Sequence, residues 1–197
     1  MDPRNRKVKI LLAAMLCASL AAPALRALDF DPEFITTENE GGFKVVEVVL
    51  NDGAARVVYC PPTAWKGVAG EGCLRFYPPG VSLADLTIEA EKASAARVLD
   101  AAAAERCRVW LKASIPKDSS EIEVEADESN PGAVANCPTF GATVAYMYGG
   151  TRYRKRVIFV FATDSEIHFT MVARVADFDR LYPAVRQSLF SWRWEHR

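Results

Sequence analysis

The sequence predicts a single α+β domain in which helices pack against an antiparallel sheet. Most of the chain falls into short runs in which apolar and polar residues alternate, as in strands with one buried face. Two segments, 94–111 and 177–192, instead have apolar residues at steps of three and four, as in helices. The strands are joined by short turns, which favour antiparallel neighbours. No internal repeat, linker or low-complexity tract divides the chain, so a single domain is expected.

The N-terminus has the three-part pattern of a secretory signal peptide. The basic leader MDPRNRKVK precedes the uncharged run ILLAAMLCASLAAPAL, and small residues follow at Ala24 and Ala27. The run has 16 residues, fewer than the about 20 that a membrane-spanning helix needs. We therefore expect residues 1–27 to be a signal peptide that is cleaved after Ala24 or Ala27. The alternatives are a retained anchor and a lipoprotein modified at Cys17.

Removal of residues 1–27 leaves a mildly acidic chain. The full sequence has 24 Lys and Arg and 25 Asp and Glu, and residues 1–27 hold five of the basic residues and one of the acidic ones. The remaining chain has 19 basic and 24 acidic residues, a net charge of −5. Binding to nucleic acid depends on neutralising phosphates with basic side chains. The composition therefore argues against a nucleic-acid partner and, with the leader, predicts a secreted or periplasmic protein.

The first half of the chain predicts four strands. Residues 28–42 are acidic and are expected to form a loose lead-in to a domain that spans residues 43–197. FKVVEVVL and ARVVYC are predicted strands, joined by the turn NDG, whose residues tolerate positive φ. PPTAWKGVAGEG is predicted to be a loop, because proline cannot donate to a sheet ladder. CLRFYPP, with Leu74 and Phe76 on one face, and LADLTIEAE are the next two strands.

The second half begins with a helix over residues 94–111, for which Ser94 is the expected N-cap. Four strands are then predicted, at SSEIEVEADES, TFGATVAYMY, TRYRKRVIFVFA and EIHFTMVARV, the last three as a meander. DFDRLYPAVRQSLFSW predicts a closing helix with Pro183 in its first turn, since proline deeper in a helix removes a hydrogen bond and clashes. The apolar face of that helix comprises Leu181, Val185, Leu189 and Trp192.

The stretch VVYCPPTAW, with Pro–x–x–Trp spacing from Pro62 to Trp65, resembles the end of the first strands in PsbP-like domains. The later order is also similar: a helix, a meander and a final helix near a Ser–Phe pair, here in SLFSW. The wider superfamily includes the Ran-binding Mog protein and bacterial periplasmic or lipoprotein members. The resemblance spans most of residues 43–192. It implies an α/β/α sandwich and an accessory or binding role, and it implies no catalytic residues.

Four cysteines remain after the leader: Cys60, Cys73, Cys107 and Cys137. In a secreted protein an even number favours disulfide bonds, and four cysteines allow three connectivities. We expect bonds 60–73 and 107–137; one bond, or free buried thiols, are the alternatives. The first bond would close the loop that carries Trp65, which is expected to be a structural lid over the edge of the core. Ligand stacking is the alternative role for Trp65.

Two predicted strands carry charge on one face. The acidic face has Glu121, Glu123, Glu125 and Asp127, and the basic face has Arg152, Arg154 and Arg156. Either the two stripes lie close together and neutralise each other, or RYRKR is a docking patch for an anionic partner or a membrane surface. The residues of that candidate patch are Arg152, Arg154, Lys155 and Arg156.

His168 lies inside a predicted strand and is expected to occupy an ordinary strand position. It would be a general base only if Glu166 or Asp164 oriented it. No nucleophile, phosphate-binding loop or metal-ligand spacing accompanies it. The sequence therefore indicates no catalytic residue, no cofactor and no metal site.

These observations predict a non-enzymatic secreted or periplasmic accessory or adaptor domain that binds an envelope protein. The alternatives are a small-ligand carrier and a hydrolase or thiol-redox enzyme. An exposed aromatic patch would favour the first, a closed apolar cavity the second, and converging titratable groups the third.

Overall fold

The computed structural model describes residues 29–38, 41–42, 44–52, 55–93, 98–132, 134–163 and 165–196. The predicted signal peptide and both of its candidate cleavage sites lie outside these residues. Within them the elements, in chain order, are β1 (Asp29–Glu38), β2 (Lys44–Asp52), β3 (Ala55–Tyr59), β4 (Lys66–Gly70), β5 (Cys73–Tyr77), β6 (Asp85–Lys92), α1 (Ala101–Ala113), β7 (Ser120–Ser129), β8 (Thr139–Tyr148), β9 (Thr151–Phe161), β10 (Ser165–Arg174), α2 (Val175–Leu189) and β11 (Arg193–His196).

The strands form two antiparallel sheets. The larger sheet has the order β4-β5-β6-β10-β9-β8-β7, and the smaller sheet has the order β1-β2-β3-β11. The predicted α+β class with an antiparallel sheet is confirmed, whereas the second sheet was not anticipated from the sequence pattern.

Alternate residues of the larger sheet face two different cores. On β9, Ile158 and Val160 belong to a core shared with the smaller sheet and α2, whereas Val157 and Phe159 belong to a core shared with α1. This division follows from the two-residue period of a strand. The layers are therefore α1, then the larger sheet, then the smaller sheet together with α2.

Three strands occur where none was predicted. Residues 29–38 form β1, not a loose lead-in, because they pair with β2 from Glu33 opposite Val49 to Glu38 opposite Lys44. The predicted loop contains β4, which pairs with β5, and the chain ends in β11, which pairs with β3. In each case the partner strand supplies hydrogen bonds that the local propensity does not reveal.

Helix α1 begins at Ala101 rather than at residue 94. Ser94 lies outside the described residues, and the N-cap is Asp100, whose Oδ1 accepts a hydrogen bond of 2.7 Å from the backbone N–H of Ala103. Ala103, Cys107 and Leu111 are its buried residues. No helix in the described part of the chain is long and apolar enough to cross a membrane.

Helix α2 begins at Val175, so Pro183 lies inside it rather than in its first turn. An internal proline costs about 3 kcal/mol or more. Pro183 is on the exposed side, and the helix buries Leu181, Val185 and Leu189 on the other side. Burial of each such side chain stabilises by about 1.5–3 kcal/mol, which offsets the cost of the proline.

Candidate functional site

The face of the larger sheet that lies toward α1 has an apolar half and a polar half. Under α1, strands β8 and β9 present Phe140, Ala142, Val144, Val157 and Phe159. Residues directly opposite each other in a sheet share a face, and on the central strands β6 and β10 the residues of this face are polar except Val172. We call six of them the polar floor: Asp85, Thr87, Glu89, Glu166, His168 and Thr170.

His168 lies in the centre of the polar floor and is fully buried. Its Nε2 is 2.9 Å from Oε1 of Glu166, so Glu166 is the carboxylate that orients it; Asp164 lies outside the described residues. The rings of Trp110 and Phe159 pack edge-on against the imidazole, with centroids 4.6 and 4.9 Å away. A carboxylate acceptor favours the tautomer in which Nε2 carries the hydrogen and Nδ1 the lone pair.

Two buried polar atoms of the floor have no hydrogen-bond partner among the described residues. They are Nδ1 of His168 and Oγ1 of Thr170. Buried polar groups are nearly always satisfied by protein, water or ligand. Leaving such groups unsatisfied costs about 1–3 kcal/mol each.

Lys155 extends from β9 toward α1 and is not part of a surface patch with its neighbouring arginines. It is 7% exposed, and its Nζ donates to the carbonyl oxygen and the Oγ of Ser114 at 2.9 and 2.7 Å. Ser114 is the C-cap of α1, and the Trp110 ring centroid is 5.5 Å from Nζ. Burial lowers the pKa of Lys155 to about 8, although the negative charges of Glu89 and Asp85 act in the opposite direction.

The three arginines lie on the opposite face and pair with acidic residues of β7 across β8. The ion pairs measure 2.8 Å for Arg152–Glu123, 2.8 Å for Arg154–Glu125 and 2.7 Å for Arg156–Glu128. Met147, Ala145 and Thr143 of β8 lie opposite the three arginines, and a Cβ at Gly141 would come within 2.9 Å of Nη2 of Arg156. The geometry is that of two stripes that neutralise each other.

Asp127 does not join this acidic stripe. A register shift between Val124 and Ala126 turns Asp127 to the α1 side, where it pairs with Arg108. The strict alternation read from the sequence therefore fails at an irregularity in the strand.

Reversal of Arg152, Arg154 and Arg156 to Glu is expected to lower the free energy of unfolding by about 1–2 kcal/mol, because exposed ion pairs contribute up to about 1 kcal/mol each. Urea denaturation measures this change. A compensating variant that also carries Glu123→Arg, Glu125→Arg and Glu128→Arg should recover most of the loss. An unchanged denaturation midpoint in the first variant would contradict the neutralising arrangement.

None of the four described cysteines is in a disulfide bond. The predicted bonds 60–73 and 107–137 are absent because each pair lies on opposite sides of the larger sheet. Cys73 is opposite Glu89 on the α1 side, whereas Cys60 follows β3 of the smaller sheet. Cys107 packs in the α1 core and Cys137 against the other core. A disulfide needs Cα atoms within about 7 Å, while packed layers are about 10 Å apart.

Trp65 is half-buried and packs against the core shared with the smaller sheet. Its backbone N–H donates to the carbonyl oxygen of Pro62 at 3.1 Å, so the chain turns directly after the two prolines. The role of Trp65 as a structural lid over the edge of the core stays a prediction.

Exposed apolar side chains gather near β4, at one edge of the larger sheet. Phe34, Val68 and Tyr77 are 43%, 43% and 40% exposed. The Phe34 ring lies on Gly67, where a Cβ would be 2.6 Å from it, and Val68 is opposite Arg75 in β5. Phe34 therefore lies on the side of Gly67 and Phe76, whereas Val68, Arg75 and Tyr77 share the opposite, α1-facing side. We call Val68, Arg75 and Tyr77 the β4 rim. Aromatic and arginine side chains are enriched at protein interfaces.

The other edge of the sheet is different in character. All ten residues of β7 are exposed, and the strand carries several carboxylates and two register irregularities. Charges and bulges on an edge strand discourage pairing with other chains. Of the two edges, the β4 rim is the one suited to contact with a protein.

Comparison with known proteins identifies similar folds. No family model and no curated protein matches the chain. The solution structure of PsbP (CyanoP) from Synechocystis sp. PCC 6803 is similar over 72% of this chain and 86% of that chain, with 12% identity and a TM-score of 0.52. The structure of LpqN, involved in cell envelope biogenesis of Mycobacterium tuberculosis, is similar over 84% and 92%, with 9% identity and a TM-score of 0.54.

A third structure, from Bacteroides thetaiotaomicron VPI-5482, has 15% identity and a TM-score of 0.46, and the similarity covers 72% of this chain and 45% of that longer one. The similarities to PsbP and LpqN establish that this chain has a PsbP-like α+β fold. They do not support the Mog part of the predicted resemblance.

Proposed function

We propose that this protein is a secreted or periplasmic accessory protein that binds a protein partner through the β4 rim and catalyses no reaction. The observation that carries the proposal is the β4 rim itself. A tyrosine, a valine and an arginine are exposed together on one face at a sheet edge, and Phe34 is exposed on the other face of the same edge. Large exposed apolar side chains that gather in one place mark interaction sites, and tyrosine and arginine are frequent among the residues that dominate binding energy.

The fold and the N-terminal sequence support the location and the accessory role. The structure of LpqN is described as that of a protein involved in cell envelope biogenesis, and PsbP shares the same fold. The basic and apolar segments of residues 1–27 have the pattern of an export signal. Together they favour a protein that acts outside the cytoplasm.

The geometry around His168 favours binding over nucleophilic catalysis. The imidazole and Glu166 resemble a general base with its orienting carboxylate. Cys73, Glu89 and His168 follow one another in register across β5, β6 and β10. Since neighbouring strands are about 4.8 Å apart, the backbones at Cys73 and His168 are about 10 Å apart with the Glu89 side chain between them, an arrangement that does not favour activation of the thiol by the imidazole.

The variant Tyr77→Ser is expected to reduce recovery of the partner at least tenfold when the exported protein is used to capture proteins from an envelope extract. A tyrosine at the centre of an interface contributes about 2 kcal/mol or more, and about 1.4 kcal/mol is a factor of ten. Tyr148→Ser is the matched control, because Tyr148 is 44% exposed and lies in β8, four strands away from β5. Equal recovery with both variants would contradict the proposal.

Replacement of Leu11, Leu12 and Leu16 with Glu is expected to keep the protein in the cytoplasm, because the change destroys the apolar segment of the signal. Cell fractionation measures the distribution. Replacement of the same three residues with Ile, which preserves hydrophobicity, should leave export unchanged. Normal export of the Glu variant would show that residues 1–27 are not the signal.

A further inference from the structure

We propose that the partner of the β4 rim is a second copy of this chain, bound by antiparallel pairing of β4 with β4 of that copy. A second copy is a more specific partner for the same surface, so this proposal rests on the proposed function. Three observations carry it: the open outer side of β4, a register in which the strand matches itself, and the charges at the two ends of the strand.

Strand β4 is the outermost strand of the larger sheet, and no strand in the described part of the chain pairs with its outer side. The other outermost strand, β7, carries several carboxylates and two register irregularities, whereas β4 pairs with β5 without a shift. β4 has no proline, and its one charged residue is Lys66 at its first position. An edge that is regular and carries little charge is open to pairing with another strand.

The turn after β4 determines which backbone groups are available. Gly70 is opposite Cys73, so two residues connect β4 to β5. Residues that flank a two-residue turn exchange both backbone hydrogen bonds, and hydrogen-bonded pairs then alternate along the ladder. The backbone N–H and C=O groups of Gly67 and Ala69 therefore point away from β5, toward the open side of the sheet.

The two outward-pointing residues match each other when two copies meet in antiparallel orientation. Gly67 of one copy then lies opposite Ala69 of the other, and the two residues exchange both hydrogen bonds. The same register places Val68 opposite Val68 of the second copy and overlaps all five residues of each strand. A two-fold axis through the Val68 pair relates the copies, and such self-complementary interfaces are the commonest kind in soluble oligomers.

The charges at the ends of β4 favour the antiparallel orientation. Lys66 begins the strand, and Glu71 directly follows its last residue, Gly70; all three are exposed within one copy. In the proposed register Lys66 of one copy lies opposite Gly70 of the other and therefore beside its Glu71, and the two-fold axis forms this contact twice. Opposite charges across a strand pair stabilise it, whereas a parallel arrangement would bring like charges together.

The pairing also covers exposed apolar side chains on both faces of the sheet. On the α1 side, Val68 is 43% exposed and lies at the centre of the proposed interface, with Tyr77, 40% exposed, on the neighbouring strand. On the other side, the Phe34 ring lies on Gly67. Because Gly67 is opposite Ala69 of the second copy, only a small side chain faces the Phe34 ring there.

The main test is sedimentation velocity of the exported protein, for which we expect a dimer. Ala69→Pro removes an outward N–H that β5 does not use, and proline is tolerated in edge strands where its nitrogen faces outward. This variant should fold and dimerise at least tenfold more weakly, whereas the control Ala69→Ser, which keeps the N–H, should dimerise like the wild-type protein. A wild-type monomer, or a folded Ala69→Pro protein that dimerises normally, would overturn the proposal.

Charge reversal tests the orientation of the two strands. Lys66→Glu should weaken dimerisation at least tenfold, because like charges then meet at both ends of the interface. Lys66→Glu together with Glu71→Lys restores opposite charges and should recover the dimer. Unchanged dimerisation in the single variant, or no recovery in the double variant, would overturn the antiparallel register.

A disulfide bond across the two-fold axis tests the register itself. Opposite residues of a non-hydrogen-bonded pair have Cα atoms about 4.5 Å apart, which lies within the range of about 4.4–6.8 Å found in disulfides. Oxidised Val68→Cys should therefore form covalent dimers on a non-reducing gel. Tyr148→Cys is the matched control, since Tyr148 is 44% exposed, and it should stay a single chain. Equal dimer formation in both variants, or none in Val68→Cys, would overturn the register.

Mass spectrometry of a crosslink formed at position 77 in living cells separates this proposal from the proposed function. A product that consists of two copies of this chain supports both. A product that contains a different protein, with a wild-type monomer in sedimentation, would overturn the second copy and leave the β4 rim as the partner site. No product, together with a monomer, would contradict both.

Discussion

Replacement of Trp192 with Ala is expected to lower the free energy of unfolding by about 3–5 kcal/mol, the usual cost of removing a buried aromatic side chain. Trp192 is 2% exposed, and its ring lies 5.8 Å from that of Tyr59 in the smaller sheet and 5.1 Å from that of Phe169 in the larger sheet. It follows α2 directly. The substitution would therefore leave a cavity where the two sheets and α2 meet.

Chemical denaturation measures this loss. Phe190→Ala is the control, since Phe190 is two residues away and 60% exposed, and it should change stability by less than about 0.5 kcal/mol. A loss below about 1 kcal/mol for Trp192→Ala would contradict the packing described for the junction of the two sheets.

The second large expected effect concerns Lys155. Its titration is expected to raise the free energy of unfolding by about 2–3 kcal/mol as the pH increases from 8 to 10. Burial lowers the pKa of Lys155 to about 8 in the folded protein, against an ordinary value of 10.5. Between these values the unfolded chain binds the extra proton, so stability rises with pH. A difference of one in pKa between the folded and unfolded states corresponds to about 1.4 kcal/mol. As the pH falls from about 10.5 to about 8, this contribution is lost.

Other groups titrate at alkaline pH, so the measured quantity is the difference between the wild-type protein and Lys155→Met. Burial raises the pKa of the Cys137 thiol and raises the pKa of Tyr146 to about 12, and both lower stability as the pH rises. These effects are common to both proteins and cancel in the difference. Lys112→Met, at an exposed lysine in the last turn of α1, should keep the wild-type profile. A Lys155→Met profile with the wild-type slope would contradict the burial of this charge.

Local patterns in the sequence predict the strands that carry strong alternation. TFGATVAYMY coincides with β8. In EIHFTMVARV the alternation puts Ile167, Phe169 and Met171 on one face, and this face lies in the core shared with α2. These segments contain enough β-branched and aromatic residues, bounded by turns, to reveal both type and register. The closing helix likewise buries Leu181, Val185 and Leu189.

Features that depend on distant pairing could not be read from local patterns. β1 and β11 become strands because β2 and β3 offer them partners. The polar floor exists because Asp85 lies opposite Val172 and Glu89 opposite His168, across about eighty residues of sequence. The alternation in LTIEAE and EIHFTMV shows that each strand has polar residues on one face. It does not show that both strands lie in the centre of the sheet, where that face is buried.

The predicted disulfides fail for the same reason. In the sequence, Cys60 ends one predicted strand and Cys73 begins the next. Cys107 lies near the end of the predicted helix, and Cys137 lies just before a predicted strand. Which side of the sheet each side chain occupies depends on the alternation within β5 and on the placement of α1 and the smaller sheet. Sequence separation alone carries no information about those sides.

The most direct test of the proposed function is photo-crosslinking in living cells, with a photoreactive amino acid at position 77 and, separately, at position 148. The two tyrosines have similar exposure, and only Tyr77 belongs to the β4 rim. We predict that position 77 yields a discrete crosslinked protein in the envelope fraction and that position 148 yields none. Crosslinking at position 148 alone, or at neither position, would contradict a protein partner at the β4 rim.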